Sequence, residues 1–220
     1  MPEALAADLA ALSQSTAALE STLDALDDQQ VGRPSLLPGW TVGHVLTHIA
    51  RNADGMAHLV RWALTGVPTP MYASVEARNA DIEAGSGRPA AALAEDVRSS
   101  AGRLADSLGL LGGAGSDALD RLLVFGPPRP GVDPDTPARA LPFARRRELE
   151  IHHVDLGLGY GPEHWPADFV ERTLLFLHSR SGAVDAVGEP SDVLAWRLGR
   201  SPAGPVRRRD GSGAGDPPPW

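Results

Sequence analysis

The chain has 220 residues, 42% of them hydrophobic, which suits one large domain or a domain with a small appendage. Its 28 acidic and 20 basic side chains give a net charge of −8, which argues against a general nucleic-acid binder, because such proteins need a concentrated basic face. The absence of cysteine excludes disulfides, thiolate metal ligands and a protein thiol nucleophile. Any thiol chemistry would therefore need a thiol from outside.

Periodic apolar residues predict four helices in the first half of the chain. Leucines at helical spacings predict the first helix over residues 3–28. A second helix is predicted over about 41–65, with Thr41 as its N-cap. A shorter helix over 74–84 and a long one over about 89–111 follow, and glycines end the last of them.

The second half is less regular. Residues 122–125 could form a short strand, and the segment 126–137 holds five prolines, which predicts a loop. A fourth long helix is predicted over about 136–156 and a further helix over 167–178. The apolar residues within 194–198 alternate as in a strand, but the run is too short to decide.

These elements predict a mainly α protein in two parts. Residues 1–160 are expected to form a helical bundle and residues 161–220 a small C-terminal module. The segment after Ser201 is rich in Gly, Pro and Arg, which leaves open whether it is ordered. The sequence contains no apolar run of about 18 residues, so it predicts no membrane span. Residues 1–5 lack a secretory signal pattern, so we expect a cytoplasmic protein.

The fourth long helix carries a candidate metal site. Glu148 and His152 are four residues apart, which places a carboxylate and an imidazole one turn apart on one helix face. His48, on the second helix, is the candidate third ligand. A His-His-Glu set leaves one coordination position open, as in catalytic zinc sites, and also suits nickel or iron. The i, i+4 spacing also arises by chance, so a solvated helix face remains the alternative.

Neighbouring groups could support such a site. His44 precedes His48 by one turn and could contact it from outside, and Asp155 could cap the helix or orient a ligand. Glu150 and His153 point to other faces of the helix. A Ser-His-Asp triad stays open as a chemical alternative, although no nucleophile motif indicates one.

Three segments resemble the metal-binding domain of mycothiol-dependent maleylpyruvate isomerases, a family within the DinB-like metal-dependent four-helix proteins. The segments are Leu37–Asp54, Arg78–Gly85 and Arg147–Gly157, and they occur in the family's order. The resemblance implies a DinB-like four-helix bundle with a small α/β C-terminal module. It also implies a divalent metal, with zinc favoured, held by His48, Glu148 and His152.

The same resemblance implies chemistry and partners. Trp196–Arg200 is similar to a family segment that carries an active-site arginine, so Arg200 is the expected catalytic residue; 217–220 also resembles the family's end. Mycothiol would supply a thiolate that adds to maleylpyruvate, allows rotation and leaves fumarylpyruvate. Arg200 and Arg78 are candidates to bind the substrate carboxylates.

Two other functions stay open beside the isomerase. One is a mycothiol S-transferase that acts on another electrophile, and the other is a non-catalytic binding module on the same bundle. The expected partners of the enzyme are a small-molecule substrate and a low-molecular-weight thiol, with no nucleic acid and no membrane. We expect a monomer or a weak dimer.

Overall fold

The computed structural model describes residues 2–127, 131 and 133–217. The chain divides into two compact units, Met1–Gly157 and Leu158–Trp220. The bounds of the helices and strands in chain order are α1 Glu3–Leu23, α2 Asp28–Val31, α3 Val42–Thr65, α4 Val75–Ser86, α5 Ala90–Gly112, α6 Ser116–Leu119, β1 Leu122–Leu123, β2 Thr136–Pro137, α7 Leu141–Asp155, α8 Ala167–Ser181 and α9 Pro190–Arg197. Short 3-10 turns span Ala138–Ala140 and Pro162–His164.

The first unit is a bundle of the four long helices α1, α3, α5 and α7. Helix α3 packs against α5, α4 and α7, while α1 packs against α7 and α5. Apolar side chains at helical spacing fill the interior, and their burial stabilises the bundle. Fully buried examples are Leu19, Leu46, Ile49, Met56, Leu93 and Leu108.

The sequence located α3 closely, because its N-terminus carries a local signal. The Thr41 side chain accepts a hydrogen bond from the His44 backbone N–H, and His44 Nδ1 accepts one from the Thr41 N–H at 3.2 Å. This reciprocal pair satisfies two otherwise unpaired donors at the start of the helix. Gly66, in a left-handed conformation, ends the helix.

The prediction of one helix over residues 3–28 was wrong at its end. Helix α1 stops at Leu23, and α2 begins again at Asp28. Asp27 caps α2, since its Oδ1 accepts from the Gln30 N–H at 2.8 Å while Gln30 Oε1 accepts from the Asp27 N–H at 2.9 Å. Such a capping box starts a new helix and overrides a weak apolar repeat.

Two further predictions are corrected by the structure. Residues 136–137 pair antiparallel with Leu122–Leu123, so the predicted helix over 136–156 begins only at Leu141, with Pro142 in its first turn. Part of the proline-rich segment 126–137 lies outside the described residues. The residues that alternate like a strand lie mainly in helix α9, which starts at Pro190.

The second unit pairs α8 with α9. Arg197, which is buried, donates to the carbonyl oxygens of Leu177 and Gly182 and to the Ser181 hydroxyl, and so satisfies the C-terminal end of α8. In the described part of this second unit, the β component consists of isolated bridges, which join Val187 to Arg207 and Arg207 to Gly213.

The segment after Ser201, whose order the sequence left open, is held by specific contacts. Trp196 Nε1 donates to the Gly215 carbonyl at 2.7 Å, and Asp192 Oδ1 accepts from the backbone of Ala203 and Gly204. Ala214 is buried. Within the family-like closing segment 217–220, residues 218–220 lie outside the described residues.

In the part of the chain that the structure describes, none of the helices combines the length and apolar character needed to cross a membrane.

Candidate metal centre

Helices α3 and α7 bring three potential ligands together inside the first unit. His48 comes from α3, and Glu148 and His152 come from successive turns of α7. One potential ligand atom from each side chain lies within 4.8 Å of the other two. His48 is 5% exposed, whereas the side chains of Glu148 and His152 are 25% and 16% exposed. The cluster is therefore anchored in the core and accessible from one side.

The spacing of these atoms fits a tetrahedral metal. His48 Nε2 lies 3.1 Å from His152 Nε2 and 3.2 Å from Glu148 Oε2, and His152 Nε2 lies 3.7 Å from Glu148 Oε2. Ligands about 2.0 Å from a tetrahedral zinc stand roughly 3.3 Å from one another. Two imidazole nitrogens and a carboxylate oxygen at these distances form one face of such a tetrahedron, and the fourth corner is left for another ligand.

Asp155 orients His152. Its Oδ2 lies 2.8 Å from His152 Nδ1, and the residue is fully buried at 0% exposure. A carboxylate accepts the hydrogen bond, so the ring proton lies on Nδ1 and the lone pair of Nε2 faces the cluster. Carboxylate–histidine pairs of this kind fix the ring and raise its basicity in metal sites.

Glu148 is oriented through a chain of hydrogen bonds. Asn52 Nδ2 donates to Glu148 Oε2 at 3.2 Å. Arg145 Nη1 donates to Asn52 Oδ1 at 2.6 Å and to the Ile49 carbonyl at 3.0 Å, which fixes the direction of the amide. One turn of α7 therefore supplies both a potential ligand and the arginine that organises its surroundings.

Helix α4 contributes Arg78. Its Nη2 lies 3.1 Å from His48 Nδ1, and its guanidinium carbon lies 5.8 Å from the centre of the Tyr72 ring. An arginine nitrogen can only donate, so His48 Nδ1 accepts and the ring proton lies on Nε2. Trp40 packs edge-on against His48, with the ring centres 5.7 Å apart.

The electrostatic environment sets protonation states that suit metal binding. Burial, helped by the neighbouring His152, lowers the pKa of His48 to about 4. Burial by itself would raise the pKa of Glu148, but the hydrogen bond from His48 and nearby positive charge outweigh it and lower the pKa to about 2. At neutral pH the cluster presents a neutral imidazole and a carboxylate.

Of the neighbouring groups considered from the sequence, His44 lies elsewhere than expected, whereas Glu150 and His153 point to other faces of α7, as predicted. His44, considered as an outer partner of His48, instead bonds Thr41 and faces Glu83 Oε2 at 3.2 Å. Glu150 and His153 face α1, where they contact the hydroxyls of Ser15 and Thr22. These two are structural groups on the other side of α7.

Sequence reasoning did not find the role of Tyr72. Tyr72 lies between α3 and α4, close enough to Glu148 and Arg78 to interact with both, and burial raises the pKa of its phenol. No motif marks it, because only the packing of α4 on α3 brings it to the cluster. The contact of Arg78 with His48 likewise depends on that packing.

Arg200, the expected catalytic residue, belongs to the C-terminal unit, where its Nη1 donates to the Leu198 carbonyl at 2.6 Å. Its role stays a prediction, and so does metal binding by His48, Glu148 and His152. The structure brings those three side chains together, and their donor atoms fit the metal that the sequence suggested.

The family relationship is decided by residues 12–157, which match the model of the mycothiol maleylpyruvate isomerase N-terminal domain. The chain belongs to this family of enzymes. The match runs from the middle of α1 to the end of α7 and includes every residue of the candidate metal centre described above.

Solved structures extend the similarity to the full length. A crystal structure of the mycothiol-dependent maleylpyruvate isomerase superposes with a TM-score of 0.84 at 28% identity, covering 100% of this chain and 98% of that chain. A histidine-to-alanine mutant of the mycothiol-dependent maleylpyruvate isomerase gives the same score and coverage at 27% identity. No curated protein matches the sequence significantly.

Proposed function

We propose that the chain is a metal-dependent, mycothiol-using isomerase that converts maleylpyruvate, or a closely related cis-unsaturated dicarboxylate, to the trans isomer. The observation that carries the proposal is the His48–Glu148–His152 cluster, whose donor atoms have the spacing of a tetrahedral face. The cluster occurs in a chain that is similar over its full length to an isomerase of this kind.

The donor set supports zinc or a similar divalent ion. Two neutral imidazoles and one carboxylate leave a bound divalent ion with a net charge of about +1, which favours an external thiol in its thiolate form. Asp155 keeps the His152 proton on Nδ1, away from the cluster. Asn52 holds Glu148 Oε2 by a hydrogen bond, so both groups are positioned before a ligand arrives.

A thiol nucleophile supplied by mycothiol is consistent with a chain that has no cysteine. Isomerisation about a double bond requires that the bond become single for a time, and reversible addition of a thiol nucleophile accomplishes this. Rotation about the single bond and elimination of the thiol then give the trans product. The thiol is regenerated, so it is required but not consumed.

Arg78 is the proposed binding group for a substrate carboxylate. A guanidinium matches a carboxylate with two parallel hydrogen bonds. If His48 held a metal through Nε2, its ring proton would lie on Nδ1, which could then not accept from Arg78, so the guanidinium would be available to the substrate. Tyr72 stays protonated because burial raises its pKa, and it can donate a further hydrogen bond. A role for Arg200 rests on the family resemblance alone.

The test is an isomerase assay with maleylpyruvate, in which product is measured with and without mycothiol. The parent protein is compared with His152→Ala and with His153→Ala, a matched control in which the adjacent histidine, which faces Thr22, is removed. We expect turnover only with thiol, loss of at least about 100-fold in His152→Ala, and near-parental activity in His153→Ala.

The same assay separates the alternatives. Consumption of mycothiol with a stable adduct and no trans isomer would indicate a thiol transferase. No reaction with maleylpyruvate or with a panel of electrophiles, by protein that contains metal, would favour a binding module. Equal activity in His152→Ala and the parent would refute the proposed centre.

A further inference from the structure

A groove runs between helices α1 and α5, neither of which carries a candidate metal ligand. Its volume is about 450 Å³, which lies in the range of small-molecule sites in proteins. Along α1 it extends from Leu9 to Glu20 and along α5 from Arg98 to Gly109. Eleven residues of helix rise about 16 Å, so the groove can hold an extended chain of several carbons.

The groove has apolar walls. Leu12, Leu104 and Leu108 are buried along it, and small side chains on both helices leave the space between them open. Gly102 is one of these small residues, and a Cβ built on it would meet no atom within 4 Å. An uncharged hydrocarbon body would therefore find apolar surface on both sides.

The groove also reaches one buried cation. Arg145, from α7, lines it and is only 1% exposed. Its Nη1 is held by Asn52 and the Ile49 carbonyl, but its Nη2 is buried and has no hydrogen-bond partner among the described residues. A buried donor without a partner is costly, so a groove that Arg145 lines points to a ligand that supplies an acceptor.

We propose that this groove is a second binding site, for a small carboxylic acid with an apolar body. The carboxylate would accept from Arg145 at the buried end, and the hydrocarbon would lie along the leucines of α1 and α5. A charge-assisted bond to a guanidinium suits a carboxylate better than a neutral acceptor. At the rim, Arg98 is already paired with Asp24 at 2.6 Å, so of the two arginines that line the groove Arg145 is the one with a donor, Nη2, available to bind the anion.

The probe is octanoate, compared with octan-1-ol, which has the same chain length and no charge. Binding is measured by calorimetry on the full-length protein. Comparing ligands tests the role of Arg145 without replacing it, which is necessary because Arg145 also holds Asn52 beside the metal centre. We expect saturable one-to-one binding of octanoate, and binding of octan-1-ol at least about tenfold weaker.

Two variants locate the site. Gly102→Leu fills the groove without a clash and favours the helix, so the protein should remain folded, as circular dichroism would verify. Ala91→Leu adds the same side chain at an exposed position of α5 that does not line the groove. Octanoate affinity should fall at least about tenfold in Gly102→Leu and stay unchanged in Ala91→Leu.

Three results would overturn the proposal. The first is no saturable binding of octanoate up to about 10 mM. The second is equal affinity for octanoate and octan-1-ol, which would mean that Arg145 does not bind the carboxylate. The third is unchanged affinity in Gly102→Leu, which would place octanoate elsewhere, for example on a metal at the His48 cluster.

Discussion

The replacement of Asp155 by asparagine tests how the metal centre is organised. Asp155 is fully buried and its Oδ2 lies 2.8 Å from His152 Nδ1, so it fixes the tautomer in which Nε2 presents a lone pair. Asparagine has nearly the same shape but no charge, and its amide can donate to Nδ1, which would shift the proton to Nε2. His152, the proposed metal ligand, stays in place, while the carboxylate that fixes its tautomer is lost.

Loss of such an outer partner lowers metal affinity by about 10-fold to 100-fold, which corresponds to about 1.4 to 2.7 kcal/mol. We expect Asp155→Asn to fall in this range because the pair is short and buried, and because His152 itself is retained. Zinc affinity is measured by competition with a chromophoric chelator at pH 7, after circular dichroism has shown that the variant is folded.

The matched control is Glu150→Gln, which also neutralises a buried carboxylate on α7. Glu150 faces Ser15 on α1 and not the cluster. This variant should lose stability but keep the parental zinc affinity within about twofold. The reasoning would be refuted if Asp155→Asn kept parental affinity, or if Glu150→Gln lost as much as Asp155→Asn, since general loosening of α7 would then explain both.

Two further predictions concern stability. In metal-free protein, burial lowers the pKa of His48 from 6.5 in the unfolded chain to about 4 in the folded chain. Between these two values the unfolded state binds more protons than the folded state, so the contribution of neutral His48 to the free energy of unfolding is complete above pH 6.5 and is lost as the pH falls to 4. This contribution amounts to about 3 kcal/mol. In urea unfolding, His48→Gln should therefore lose about 3 kcal/mol less stability than the parent between pH 7 and pH 4, and an equal loss in both proteins would contradict the lowered pKa. Gly43→Ala would drive a Cβ into the Ser86 carbonyl oxygen, so thermal unfolding should show a loss of stability of about 1 to 3 kcal/mol. Gly102→Ala, where a Cβ meets open space, should show no loss of stability. Equal losses in the two variants would refute the close approach of α3 and α4.

Local signals account for what the sequence revealed about the bundle. The i, i+4 spacing of Glu148 and His152 fixes their common face on any helix, and Thr41 marks the start of the helix that carries His48. These features need no knowledge of the tertiary structure.

Contacts that depend on packing could not be predicted in the same way. Arg78 reaches His48 because α4 lies on α3, and that approach depends on Gly43, where a side chain would meet Ser86. Tyr72 belongs to a connection without regular structure, so periodicity carries no information about it. The strand pair that displaced the start of α7 joins residues 13 or more positions apart, and only tertiary structure specifies such pairing.

The most direct test of the account is the metal content of the purified protein, measured by elemental analysis for the parent, His152→Ala and His153→Ala. We predict about one divalent metal per chain in the parent and in His153→Ala, and its loss in His152→Ala, because, of these two adjacent histidines, His152 faces the cluster and His153 faces Thr22. Absence of metal from the parent even after incubation with zinc, or equal metal in both variants, would contradict it.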